Sequence, residues 1–223
     1  MIKSLIFSIA KMLNLVLCTL FISFAVAADL HKLEKSLLFN DGDALLNFRA
    51  WQGMMIAVKD LSTDEKIKRV NEFVNRRVTW GDDQKIWGQA DYWATPLQTL
   101  ARAAGDCEDF SILKYYSLLS LDVPVSKLRL VYVKAKNGNA PGSGEQAHMV
   151  MAYYSSPDAE PMIMDNLITE VRPASRRPDL QPVFSFNGEG IYAGAGAQVQ
   201  PSVNARLSRW QSLLQRAKEE GFN

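Results

Sequence analysis

The chain has 223 residues, of which 48% are hydrophobic and 22% are charged, and its formal net charge is +1. This length and apolar fraction suffice for one full-sized globular domain with a hydrophobic core. The absence of a long basic or acidic block argues against nucleic acid and against electrostatic attachment to an anionic membrane. We therefore expect one domain that acts on a protein or on a small polar substrate.

The N-terminus has the pattern of a secretory signal peptide. Lys3 and Lys11 precede an apolar run over 12–24, and small residues follow at 25–28. A retained membrane anchor is the alternative, although the run is short for a bilayer span. We predict a signal peptide over 1–28 and one exported domain over 29–223.

Cleavage after residue 27 or 28 would remove Cys18 and leave Cys107 as the only cysteine of the mature chain. An unpaired cysteine in an oxidising compartment is either buried and inert or kept for its reactivity. We therefore expect no disulfide framework. The surrounding sequence, GDCEDF, places three carboxylates around this thiol, and their negative charges oppose its ionisation.

The first half of the predicted mature chain is helical in pattern. Apolar residues from 29 to about 61 have helical spacing, and Ser62 or Thr63 can cap the helix that follows. The segment 79–94 (TWGDDQKIWGQADYWA) is rich in glycine, aspartate and aromatic residues, and we predict that it is irregular. Its tryptophans are expected in the core or in the wall of a cleft, where some would contact a substrate or a partner.

Two more helices precede a change of pattern. Thr95 and Pro96 are suited to the start of a short helix that ends near Gly105. Asp106 can cap a second helix over 108–121, and the broad apolar surface of that helix is typical of a central position. Cys107 then lies in the first turn of the central helix.

Alternating apolar residues predict strands in the second half of the chain. The three predicted strands cover residues 128–134, 147–154 and 161–165. A flexible loop over 137–144 separates the first two, and a turn over 155–158 joins the last two as a hairpin. Beyond residue 166 the chain is predicted to be irregular until an amphipathic helix over 202–220. The fold class is therefore α+β, with helices packed on an antiparallel sheet.

A thiol nucleophile needs a base that accepts its proton and usually a third group that orients the base. The chain has two histidines, and His31 lies near the predicted mature N-terminus, whereas His148 opens a strand expected close to the cysteine helix. Asp165 closes the next strand. We predict a catalytic triad of Cys107, His148 and Asp165. Each of these residue types also occurs as a small buried thiol, a core histidine or a turn aspartate.

Four motifs together resemble a known enzyme family. They are DYWATP (91–96), GDCEDF (105–110), AHMV (147–150) and MDN (164–166). These motifs are similar to those of the bacterial transglutaminase-like cysteine peptidases, in particular the LapG-type periplasmic proteases, and the resemblance covers nearly all of the predicted mature chain. It implies a papain-like fold, the triad Cys107, His148 and Asp165, and hydrolysis of peptide bonds through a thioester.

The resemblance also implies a substrate, a partner and a compartment. In this family the substrate is a large surface adhesin, and cleavage of its N-terminal region near a pair of alanines releases it and disperses the biofilm. The enzyme is inhibited by the periplasmic domain of an inner-membrane receptor for cyclic di-GMP. We accordingly expect a periplasmic protein with these two partners.

The carboxylates beside Cys107 suggest a calcium site. Calcium is a hard cation that takes several oxygen ligands, and its charge would offset the negative field at the thiol. We expect Asp106 and Glu108 to bind it, with help from Asp91 and from backbone oxygens of 87–92. The calcium dependence of the family agrees with this hypothesis. From charge alone, acids that cap the helix or face solvent are the alternative.

Two other functions remain open from the residues. The same triad and thioester could transfer an acyl group to an amine, which would make the chain a protein-glutamine acyltransferase. The fold could also serve as a noncatalytic, calcium-stabilised binding module of the periplasm. A binding role, however, gives no reason to retain an exposed thiol in an oxidising compartment.

Overall fold

A computed structural model describes residues 42–136, 144–196 and 208–222. The helices are α1 (Gly42–Val58), α2 (Thr63–Arg77), α3 (Asp83–Ile86), α4 (Pro96–Arg102), α5 (Cys107–Leu119) and α6 (Ser208–Glu220). The strands are β1 (Thr79–Trp80), β2 (Ala104–Gly105), β3 (Leu128–Lys136), β4 (Glu145–Tyr153), β5 (Met162–Met164), β6 (Arg172–Pro173), β7 (Leu180–Phe186) and β8 (Ile191–Ala193).

Strands β3 to β8 form one antiparallel sheet in the order β6-β5-β4-β3-β7-β8, and β1 pairs with β2 in a separate parallel ribbon. The predicted mixture of helices and antiparallel sheet is therefore confirmed. The predicted signal peptide, the segment 29–41 and most of the loop 137–144 lie outside the described residues. None of the helices in the described ranges has the length and apolar character needed to span a bilayer.

Side-chain caps define where three helices begin, as the sequence predicts. Ser62 Oγ accepts the backbone N–H of Glu65 at the start of α2. Thr95 caps α4 in a reciprocal arrangement with Gln98, and Pro96 occupies the first turn. Asp106 caps α5 through a 3.2 Å bond from the Glu108 N–H to its Oδ1. These bonds satisfy N–H groups that have no partner inside the helix, so Cys107 becomes the first residue of α5.

Helix α5 is the central element of the fold. It packs against α2 and α4 on one side and against β3 and β4 on the other. All residues from 109 to 118 are buried, which explains why this helix lacks a polar face. Ser111 Oγ donates to the carbonyl oxygen of Met149 at 3.1 Å. The N-terminal half of α5 is thereby attached to the part of β4 that carries His148.

The three predicted strands correspond to β3, β4 and β5. Strands β3 and β4 pair along their whole length, whereas β5 pairs with only three residues of β4, from Met151 to Tyr153. Asp165 follows directly after β5, at the point where that strand leaves the sheet. Its side chain can therefore reach His148, which lies beyond the end of the β4–β5 ladder.

One prediction of irregular structure was wrong, because the segment after residue 166 contains β6, β7 and β8. The segment 79–94 is mainly irregular, as predicted, and contains only the short elements β1 and α3. Strand β7 includes Pro182, which normally argues against a sheet interior. It is accommodated because the β3–β7 register shifts between Tyr132 and Val133, the residue that faces Pro182. Short strands of this kind form through long-range pairing and leave little trace in local sequence.

The C-terminal helix α6 covers the core from outside. Trp210, Leu213 and Ala217 are buried along one stripe. Arg216 Nη2 donates to the Trp93 carbonyl oxygen at 2.6 Å, and Thr95 Oγ1 donates to Glu220 Oε1 at 2.7 Å. Helix α6 thus ties the chain end to the segment that leads into α4.

Candidate active site

Cys107 opens α5 and is partly buried. Its Sγ donates to Glu108 Oε2 at 2.8 Å. Burial, followed by the charges of Glu108 and Asp106, raises the pKa of the Cys107 thiol above its ordinary value, while the backbone N–H of Met149 acts in the opposite direction. This thiol therefore needs a base or a nearby cation before it can act as a thiolate.

His148 and Asp165 form a buried pair. His148 Nε2 lies 2.7 Å from Asp165 Oδ1. The same oxygen accepts the N–H groups of Asn166 at 2.7 Å and Leu167 at 3.1 Å. Burial alone would raise the pKa of Asp165, but the bonds and charges of His148 and Arg177 lower the pKa to about 2. Asp165 therefore stays ionised and can orient an imidazole ring.

The three predicted catalytic residues lie in one region. Cys107 is close to the Met149 N–H, and Met149 is the neighbour of His148 in β4. No hydrogen bond joins the Cys107 Sγ to the imidazole within the described ranges, and His148 Nδ1 has no hydrogen-bond partner there. The structure thus pairs the predicted base with its orienting acid and leaves Nδ1 available, while the triad itself stays a prediction.

Four carboxylates crowd the start of α5. Asp106 and Glu108 have ligand atoms close to the Cys107 sulfur, and Asp83, Asp106 and Asp109 have carboxylate oxygens within 4.8 Å of one another. Burial, then the charge of Glu108, raises the pKa of Asp106 to about 8. Burial also raises the pKa of Asp109 to about 8 and that of Asp83 to about 6, with the charge of Asp106 contributing to both. The cluster is therefore an unfavourable concentration of negative charge.

These acids fit a bound divalent cation. Asp83 Oδ1 is buried and makes no hydrogen bond, and the other oxygen of Asp83 accepts the Tyr92 N–H. A buried oxygen without a partner is costly, and a hard cation would satisfy it. Asp109 is already engaged, because its oxygens accept the Ala94 N–H at 2.8 Å and Trp87 Nε1 at 3.3 Å. Carboxylate oxygens dominate the donor set, which suits calcium.

Asp91 and Asp83 differ from the sequence-based expectation. We expected Asp91 to help bind calcium, but it lies outside both acidic clusters. Its Oδ2 is 2.8 Å from Arg209 Nη2, and its Oδ1 accepts a hydrogen bond from Trp93 Nε1. Asp83 was missed. The signal in the sequence is the pair Asp82–Asp83: Asp82 caps α3, whereas Asp83 is buried, with one carboxylate oxygen bonded to the Tyr92 N–H and the other without a hydrogen-bond partner. A ligand role for Asp91 stays a prediction.

The tryptophans of 79–94 have different environments. Trp93 is buried and stacks on Phe186 with ring centroids 5.7 Å apart. Trp87 bonds to Asp109, so it belongs to the support of the acidic cluster. Trp80 is 64% exposed and adjoins Gly105 across the β1–β2 ribbon. Trp80 therefore lies outside the core and presents an aromatic ring to solvent beside Gly105.

Comparison with known proteins identifies the class of this fold and site. Residues 50–178, more than half of the chain, match the family described as bacterial transglutaminase-like cysteine proteinase (BTLCP). The chain belongs to this family of cysteine peptidases and has its α+β fold, with Cys107 at the start of α5. No curated protein sequence matches the chain.

Three solved structures of one protein, LapG of Legionella pneumophila, are similar to this chain. One is 34% identical, with a TM-score of 0.71, and covers 84% of this chain and 97% of the other. An EGTA-treated form is 33% identical, with a TM-score of 0.72 and the same coverage. A calcium-bound form is 34% identical, with a TM-score of 0.69, and covers 84% of this chain and 98% of the other. The similarity thus extends over almost the whole LapG structure.

Proposed function

We propose that this protein is a calcium-dependent cysteine endopeptidase of the periplasm, which cleaves the N-terminal region of a large surface adhesin and so promotes biofilm dispersal. The observation that carries the peptidase assignment is the buried His148–Asp165 pair beside the Cys107 thiol, in a chain of a cysteine proteinase family. The adhesin substrate and the inhibitory cyclic di-GMP receptor are supported by the resemblance of the sequence motifs, and the periplasmic location is supported by the signal-peptide pattern over 1–28.

In the proposed mechanism, His148 takes the thiol proton on Nδ1, because its Nε2 is engaged by Asp165. The thiolate attacks the scissile carbonyl carbon and forms a tetrahedral oxyanion, which backbone N–H groups at the start of α5 stabilise. Collapse of this intermediate breaks the peptide bond, and His148 returns the proton to the leaving amine. A water molecule, deprotonated by His148, then hydrolyses the thioester.

The acidic residues control how easily the thiol ionises. Without a cation, Glu108 accepts the S–H hydrogen and its charge opposes the thiolate. Asp83, Asp106 and Glu108 are the residues that would hold calcium, with Asp106 belonging to both acidic clusters. The ion would supply positive charge beside the thiol. The existence of calcium-bound and EGTA-treated LapG structures supports calcium as the cation. Asp109 holds the segment 79–94 against the start of α5 through its bonds to Ala94 and Trp87.

The test is cleavage of an adhesin N-terminal fragment by the purified chain, with calcium or with EGTA, followed by mass spectrometry of the products. We expect cleavage only with calcium, and Cys107→Ala should abolish it. Turnover by Cys107→Ala at a rate near that of the wild type would refute the nucleophile. Unchanged cleavage after thorough chelation would remove calcium from the mechanism. A labelled primary amine distinguishes hydrolysis from acyl transfer.

A further inference from the structure

Arg177 is a buried arginine next to the proposed catalytic pair. It follows the short 3-10 helix Ala174–Arg176 and precedes β7, and it is only 2% exposed. Its Nη2 donates to Asp165 Oδ2 at 2.6 Å and to Asp179 Oδ2 at 2.8 Å. Its Nε donates to Asp179 Oδ1 at 3.0 Å. A buried charge is costly unless it is paired this closely, so the contacts of Arg177 define where its guanidinium can lie.

The two carboxylate oxygens of Asp165 have separate partners. Oδ1 faces His148 and the N–H groups of Asn166 and Leu167, whereas Oδ2 receives Arg177. The backbone is held as well, because Asn75 Nδ2 donates to the Asp165 carbonyl oxygen at 2.8 Å. A carboxylate bound at both oxygens cannot rotate about its terminal torsion without breaking bonds. Oδ1 is therefore kept in line with Nε2 of the imidazole.

Other charged groups also face Asp165. Lys114 approaches from α5, fully buried and with no hydrogen-bond partner for its Nζ, so it acts on Asp165 through charge alone. His148 faces it from β4, and Asp179 lies behind Arg177. Within the described residues, Arg177 is thus the one cationic arginine or lysine whose side chain bonds to the Asp165 carboxylate.

We propose that Arg177, anchored by Asp179, is a positioning residue that fixes the second oxygen of Asp165 and so holds the first oxygen against His148. This inference rests on the proposed function, in which His148 is the base. The guanidinium acts in two ways. Its planar fork binds Asp179, which fixes the position of the single Nη2–H that bonds to Asp165 Oδ2 and so orients that carboxylate, and its positive charge offsets part of the Asp165 charge that faces the imidazolium.

The charge effect is tested by titrating His148 with NMR in the full chain, labelled at histidine. The chain has only two histidines, and His148→Gln assigns the signals. Arg177→Met should raise the pKa of His148 by about one to two units, because a cation near the imidazolium is lost from a buried site. The matched control is Arg176→Met, which removes the same charge from the exposed neighbour and should shift the pKa by less than about 0.3 units.

The geometric effect is tested with Arg177→Lys, which keeps the charge and loses the fork. We expect the pKa of His148 to stay within about 0.5 units of wild type, while kcat for the adhesin fragment falls about tenfold to a hundredfold with KM unchanged. A folded Arg177→Met protein with the wild-type His148 pKa would overturn the proposal. So would Arg177→Lys with the wild-type kcat, which decides the matter if Arg177→Met does not fold by circular dichroism.

The two proposals can fail separately. The titration of His148 needs no substrate, so it reports on Arg177 even if the adhesin fragment is not cleaved. Conversely, cleavage that persists in Cys107→Ala refutes the peptidase mechanism without changing the measured pKa of His148.

Discussion

His148 Nε2 and Asp165 Oδ1 lie 2.7 Å apart, and both side chains are almost completely buried. Because the bond uses Nε2, the nitrogen that remains for proton transfer is Nδ1. Asp165 also has a defined charge, since its low pKa keeps the carboxylate ionised at neutral pH. The ring orientation of His148 is therefore set by a fixed negative charge.

Asp165→Asn tests this relationship. The amide is nearly the same size but carries no charge, so it stabilises the imidazolium poorly. We expect kcat for the adhesin fragment to fall by about 10³–10⁴-fold, as for the aspartate of a comparable triad. Asp179→Asn is the comparison variant, because it removes a charge close by without touching His148, and its effect should be much smaller. Wild-type kcat in Asp165→Asn would exclude Asp165 from the triad.

The acidic cluster predicts how Asp83 affects the response to calcium. The pKa of Asp83 is raised to about 6, so the folded chain keeps this proton at pH values where the unfolded chain has lost it. In the calcium-free protein, Asp83 therefore lowers stability as the pH rises from about 4 to about 6. Asp83→Asn should raise the Tm in EGTA at pH 7 and reduce the increase of Tm caused by calcium, measured by thermal unfolding.

Asp91→Asn is the matched control for Asp83→Asn, because it makes the same charge change in the same segment. Asp91 bonds to Arg209 and Trp93, so this variant should keep most of the calcium-induced increase of Tm. The opposite result, with Asp91→Asn abolishing the increase and Asp83→Asn preserving it, would support the ligand set expected from the sequence.

Gly105→Ala should destabilise the connection from β2 to α5, which leads into Cys107. An added Cβ would lie 2.5 Å from Asp109 Cβ, which is closer than side chains tolerate. Asp109 is bonded to Ala94 and Trp87, so it cannot move away freely. We expect a loss of about 1–3 kcal/mol in the free energy of unfolding by urea. Gly53 lies in the middle of α1 with open space around it. Gly53→Ala should therefore increase the free energy of unfolding by about 0.5–1 kcal/mol.

Lys114→Met should stabilise the protein at neutral pH. Burial lowers the pKa of Lys114 to about 7, with Asp165 acting in the opposite direction, and Nζ has no hydrogen-bond partner. Between pH 7 and about 10 the unfolded chain binds the Lys114 proton and the folded chain does not. The loss of unfolding free energy that Lys114 causes therefore becomes smaller as the pH rises. The difference in unfolding free energy between Lys114→Met and the wild type should therefore decrease by up to about 1.4 kcal/mol per pH unit over this range, measured by urea unfolding.

A Lys114→Met advantage that does not change between pH 7 and pH 10 would contradict the lowered pKa. The comparison of the two proteins at each pH is essential, because other groups titrate in this range. Burial and neighbouring charges raise the pKa of Cys107 as well, and this lowers stability at alkaline pH in both proteins equally.

Local patterns were enough to predict where α2, α4 and α5 begin and which residues are candidates for catalysis. Caps such as Ser62, Thr95 and Asp106 act through hydrogen bonds to residues two or three positions away. A helix start of this kind can therefore be recognised from a few consecutive residues of the sequence. The alternating pattern of β3 and β4 is equally local. The position of Cys107 at the start of α5 follows from the Asp106 cap, and the surrounding motifs led to the correct family.

Which of these residues contact one another could be established only from the fold. Asp83 lies close to Asp106 and Asp109, Asp91 forms an ion pair with Arg209, and Arg177 forms one with Asp165. Asp83, Asp91 and Arg177 all come from segments whose sequence has no regular pattern of apolar residues. Strand β7 likewise forms by pairing with β3, and the register shift between the two strands accommodates Pro182. These contacts depend on burial and on pairing between distant parts of the chain, and no local hydrogen bond or periodicity encodes them.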